Sequence, residues 1–198
     1  KTRLIEEAGV DLLLPLRCGL ESTAALKELM NLIMPVVHAY LPMLVLMVPA
    51  LVRERGRPSF NRTLRMALVL TGTCAGVYWL LLGLLNHQLV AWLYKGQYLE
   101  NAGLLWIIGL VPITGAAVAV LGSALRALER PQHIFFAYLM STLVAVTLGT
   151  WLMMRWGVTG AAIGVELSSL ATVISMAFCL LRRAPAPDPA SYAARIQL

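Results

Sequence analysis

The chain has 198 residues, of which 59% are hydrophobic and only 13% charged, with a mean hydropathy of +0.76 and a formal net charge of +6. Soluble domains carry about 25% charged residues, so composition excludes an ordinary water-soluble globule. The basic excess lies in short connections between apolar runs rather than on one polar face, which argues against nucleic acid as a partner.

The chain opens on Lys1 with neither an initiator Met nor a signal-peptide pattern. Residues 9–20, "GVDLLLPLRCGL", are apolar over only about half the length that a membrane crossing needs. This reads as a C-terminal piece that starts inside an earlier helix. Asp11 lies in that stretch, ahead of Pro15. Read from the residues alone, it caps or ends a broken helix near water.

Five fuller apolar runs follow, at 32–52, 66–85, 103–125, 134–154 and 158–181. Each is about 20 residues or longer, enough to cross roughly 30 Å of hydrocarbon at 1.5 Å per residue. The second stays apolar past Asn86-His87-Gln88 to Tyr94, too long for one crossing. Its end, with Trp92 and Tyr94, is expected in the membrane interface. The predicted fold is all-α: a polytopic membrane helix bundle over 1–183, followed by a disordered tail at 184–198 in which Pro185, Pro187 and Pro189 alternate with other residues.

The connections predict an orientation. The first holds Arg53, Arg55, Arg57, Arg62 and Arg65; the second, only Lys95; the third, Arg126 and Arg130; the fourth, only Arg155. The tail adds Arg182, Arg183 and Arg195. This alternation follows the positive-inside rule and places 53–65, 126–133 and the C-terminus in the cytoplasm.

Pro35, Pro42 and Pro49 recur every seven residues in the first full run, and Pro112 stands near the middle of the third. Each removes a backbone hydrogen bond and invites a bend. Either these helices flex during transport, or neighbouring helices repair the backbone and the prolines are merely tolerated. Gly160 and Gly164 form a small-xxx-small pair that admits another helix closely.

Glu166 interrupts the fifth run at its ninth residue, about 12 Å in. Insertion scales assign about 2.5–3.5 kcal/mol to a central Asp, Lys or Arg, and a deep Glu is similarly unwelcome in lipid. At 100° per residue it points about 120–160° away from Gly160 and Gly164. Two readings stand: a neutral glutamate hydrogen-bonded to a neighbouring helix, or a cavity-lining carboxylate that exchanges H+ or Na+.

No enzyme is predicted. Cys18, Cys74 and Cys179 are far apart, and His38, His87 and His133 have no partner at ligand spacing. No glycine-rich phosphate loop follows a strand, so neither a metal nor a cofactor is expected.

"WLYKGQYLENAGLLWIIGL", then "LGSALRALERPQ", then "RWGVTGAAIG" share a local texture with a known family. The chain resembles the C-terminal half of bacterial polysaccharide or lipid-linked oligosaccharide flippases, in the multidrug/oligosaccharidyl-lipid/polysaccharide exporter superfamily. The matching features are the loop "YKGQY" at 94–98, with Lys95 as a departure, the turn at 125–131 and the glycine-rich run at 157–164. "VDLLLPLRCGLESTAAL" and "MVPALVRE" are similar to the family's seventh helix running into the eighth and to the eighth helix's exit.

The resemblance implies one six-helix lobe of a two-lobe, alternating-access transporter in the bacterial cytoplasmic membrane. The N-terminal lobe would be the missing partner, and a polyprenyl-linked sugar bearing a pyrophosphate would be the substrate. No Arg or Lys lies deep in the five full runs, so within this chain Arg17, Lys27 and Arg126 are the candidates for the headgroup, beside Glu166 and Asp11 for the pathway. Residues such as Arg17 and Lys27 more often snorkel to the outer surface, and topology already explains Arg126. Two other readings remain: a cation-coupled multidrug exporter of the same fold, and a non-transporting membrane scaffold.

Overall fold

A computed structural model describes residues 20–55, 57, 59–95 and 99–182, and every regular element among them is helical. In chain order these are α1 (Leu20–Asn31), α2 (Met34–Arg53), α3 (Ser59–Leu84), α4 (Asn86–Leu93), a 3-10 turn (Leu99–Leu104) running into α5 (Leu105–Ile108), and α6 (Val111–Ala127). Then come α7 (Pro131–Val144), a π-helical turn (Ala145–Gly149) and α8 (Thr150–Leu181). Asp11, Arg17 and the 184–198 tail lie outside the described residues.

Three stretches among the described residues are long and apolar enough to cross a membrane: Ser59–Leu84, Ala102–Ala127 and Pro131–Leu181. The last has 51 residues. Straight, it would measure about 77 Å, more than twice the thickness of the hydrocarbon core. It is instead a hairpin. Gly157, at φ 59 and ψ −129, leaves the helical region in a conformation that its missing Cβ permits. Ser141 Oγ then donates to the carbonyl oxygen of Ser168 at 3.0 Å, although a straight helix would hold these residues about 40 Å apart.

The two arms, 131–156 and 158–181, touch backbone to backbone. A Cβ on Gly160 would sit 2.0 Å from the carbonyl oxygen of Leu152, and one on Gly164 would sit 2.7 Å from the Cα of Gly149. Gly149 closes the π-helical turn, where Thr147 Oγ1 donates to the carbonyl oxygen of Leu143 at 2.6 Å.

α6 is the axis of the bundle. α2, α3 and α8 all pack on it, and 12 of its 17 residues are buried. Helices in lipid expel no water when they meet, so close van der Waals packing must hold them. Gly115, Ala116, Gly122, Ser123 and Ala124 supply the small, buried surface that permits it.

Two of the four prolines open helices after breaks, and two are interior. Pro112 follows a break at Gly109 and Leu110, near the middle of the Ala102–Ala127 stretch, and opens α6, where its missing N–H costs nothing. Pro35 likewise opens α2, after a break at Leu32 and Ile33, and only Pro42 and Pro49 are interior. All three of the α2 prolines are exposed, while Met47 and Leu51 are buried with Val118, Leu121 and Leu125 of α6. The proline face therefore turns away from the axis.

Buried residues gather at two ends. Leu51, Phe60, Leu125, Met176 and Leu180 belong to one cluster, and Leu29, Leu82, Val90, Leu105 and Ala161 to the other. The connections after α2 and after α6 therefore share one end with the close of α8. Arg55 Nη1 reaches Glu129 Oε1 there at 2.6 Å. Eight of the arginines flank that end: 53, 55, 57, 62, 65, 126, 130 and 182. All five tryptophans lie toward the opposite end.

At that tryptophan end, Trp79 Nε1 donates to the carbonyl oxygen of Trp106 at 2.9 Å, and the rings meet edge-on at 5.4 Å. Gly83 seats the Trp106 ring and Gly109 the Trp79 ring. A Cβ at either glycine would lie 2.7 or 2.8 Å from the indole.

Candidate functional site

The second arm of the hairpin buries two faces. Gly160 and Gly164 meet the first arm, and Glu166 turns to α6. The glutamate is only 6% exposed, and Thr114, in the first turn of α6, is 7% exposed. The Thr114 hydroxyl is positioned by the carbonyl oxygens of Val111 and Leu110, at 3.2 and 3.4 Å. It faces the Glu166 carboxylate, whose Oε2 has no hydrogen-bond partner among the described residues. A buried acceptor left unsatisfied costs about 1–3 kcal/mol, and more if charged.

The neighbouring hydroxyls are satisfied by backbone. The Ser168 carbonyl oxygen accepts from Ser141 Oγ at 3.0 Å and from Thr172 Oγ1 at 3.1 Å, and Ser168 Oγ donates to the carbonyl oxygen of Val165 at 2.8 Å. Glu166 thus stands apart: a carboxylate in the interior with one buried oxygen that no described residue satisfies. Among the described residues, no group of three His, Cys, Asp or Glu side chains converges as a metal site.

The other sequence candidates do not gather around it. Arg126 is exposed in the last turn of α6, twelve residues beyond Thr114, or about 18 Å along the helix. Lys27 is exposed on α1, whose Leu26 and Leu29 belong to the cluster at the tryptophan end. Asp11 and Arg17 are outside the described residues.

Sequence reading missed Thr114. Its signal was a hydroxyl inside the small-residue run "PITGAA", which only helix pairing could connect with Glu166. It also missed two tyrosines. Tyr78 donates to the carbonyl oxygen of Leu32, and Tyr94 to that of Glu28 at 2.7 Å. They satisfy carbonyls that the break between α1 and α2 leaves without helical partners. Leu32, Pro35, Tyr78, Leu85 and Leu89 line an open groove of about 410 Å³ beside that break.

No protein-family model, curated protein or solved structure matches the chain.

Proposed function

We propose that this chain is the C-terminal lobe of a transporter that flips a polyprenyl-linked sugar across the bacterial cytoplasmic membrane for cell-surface polysaccharide synthesis. The observation that carries a transport reading is the unpartnered oxygen of Glu166 inside a bundle of membrane-length helices. A polar group so costly to bury marks a substrate or ion pathway by default. The flippase texture at 94–98, 125–131 and 157–164 supports the substrate class. In this reading Glu166 takes up and releases H+ or Na+ as the lobes rock, and the arginine end faces the cytoplasm.

The test is flipping by the complete two-lobe protein in liposomes. A fluorescent polyprenyl-pyrophosphate sugar is loaded in both leaflets, and its exposure to an impermeant quencher is followed under imposed pH or Na+ gradients. Gradient-dependent flipping above protein-free liposomes is expected. Extrusion of cationic drugs without movement of the sugar lipid would transfer the protein to the exporter reading. Neither activity would leave a scaffold.

A further inference from the structure

We propose that the start of α3 holds an anionic phospholipid, its headgroup on Arg62 and Arg65 and its acyl chains along the helix below. This site is separate from the sugar-lipid pathway proposed above. Eight arginines flank this end against two glutamates, Glu54 and Glu129. Both glutamates are engaged within the protein: Glu54 accepts from the Ser59 hydroxyl, and Glu129 pairs with Arg55. Eight positive charges against two negative ones leave an excess of six at this end.

Arg62 and Arg65 are both exposed, and their spacing of three puts them on neighbouring positions of one helix face. Met66, Val69, Leu70 and Thr73 continue that face and are exposed as well. At 100° per residue, all six fall within about 140° of one another. The exposed stripe runs on to Val77, twelve residues from Arg65. That is about 18 Å, which covers the roughly 15 Å of hydrocarbon in one leaflet. A charged ledge above an apolar strip of leaflet depth has the dimensions and the charge of a phospholipid.

The same geometry separates this lipid from a substrate inside the bundle. At this end the interior is closed by Leu51, Phe60, Leu125, Met176 and Leu180. The two arginines stand over exposed apolar side chains outside that cluster, so the proposed ligand is a membrane lipid on the protein's outer wall. Arginine presents a fixed fork of donors to phosphate oxygens, which suits a phosphodiester.

The experiment is native mass spectrometry of the detergent-purified complete protein, titrated separately with phosphatidylglycerol and phosphatidylcholine. The wild type should retain phosphatidylglycerol preferentially, and raised salt should weaken that preference. At about 1 kcal/mol per basic residue, the double variant Arg62→Gln/Arg65→Gln should bind phosphatidylglycerol about 30-fold more weakly. Its phosphatidylcholine binding and melting temperature should be unchanged, and Arg155→Gln, at the opposite end, should behave as wild type. Equal retention of the two lipids, or a double variant that keeps phosphatidylglycerol, would overturn the proposal. So would displacement of phosphatidylglycerol from the wild type by a stoichiometric polyprenyl pyrophosphate, which would assign the arginines to substrate.

Discussion

Arg55 and Glu129, 74 residues apart in sequence, meet at 2.6 Å and join the connection after α2 to the one after α6. Glu129 reaches that position through a left-handed backbone, φ 56. It is the residue after the C-cap of α6, and the close is a Schellman motif: Arg130 N donates to the Leu125 carbonyl oxygen at 3.0 Å, and Glu129 N to that of Arg126 at 2.9 Å. Glycine is the usual residue there, and an L-residue costs about 1–2 kcal/mol more. The cost is offset by aiming a carboxylate at Arg55. Glu129→Gly should therefore change the melting temperature little, because relief of strain opposes loss of the pair. Glu129→Gln, which keeps the strain and loses the charge, should destabilise by up to about 1 kcal/mol. A stabilising Glu129→Gln would contradict this balance.

The backbone contact in the hairpin is more demanding. Gly160→Ala forces a methyl against the carbonyl oxygen of Leu152, where a Cβ would lie 2.0 Å away. Overpacking of this kind costs about 1–3 kcal/mol or more, because backbone cannot swing aside as a side chain can. Gly76→Ala, with nothing within 4 Å of its Cβ, is the control. It should be neutral or stabilising by up to about 1 kcal/mol, since alanine is the better helix former. Thermal unfolding in one detergent compares the two. Equal melting temperatures would mean that the arms do not touch as described.

Sidedness can be read with cysteines in a background stripped of native thiols. Asn61 and Gln88 are both exposed and flank opposite ends of α3. Asn61→Cys and Gln88→Cys should never both react with an impermeant thiol reagent applied from one side. With the arginine end inside, Gln88→Cys labels from outside and Asn61→Cys does not. Labelling of both from outside would sink the arrangement.

For the candidate site, Glu166→Gln preserves size and polarity and removes the charge. Expression and melting temperature should hold, because the amide fits where the carboxylate packed beside Thr114. Flipping should fall to background and lose its response to ion gradients. Thr114→Val removes the hydroxyl with little change of volume, and it should shift the gradient dependence without abolishing transport. Normal flipping by Glu166→Gln across a range of pH and Na+ would make the carboxylate purely structural.

Much of this architecture is legible in one dimension. Water-to-lipid transfer is close to additive along the chain, so apolar runs and the arginines between them mark membrane-length helices and their alternation before any contact is known. The glycine pair at 160 and 164 also announced a close approach, because a missing side chain is visible in the sequence itself. What the pattern could not supply was pairing. The breaks at 32–33 and 109–110 lie inside apolar sequence, and Tyr78 caps the first from 46 residues away. Sequence showed that Glu166 avoids lipid; only the packing of α8 on α6 decided that it meets Thr114 and leaves Oε2 unpartnered. Such relations depend on which faces of separate helices are brought together. That choice is made by close packing of small residues around α6, a property of the assembled bundle rather than of any one segment.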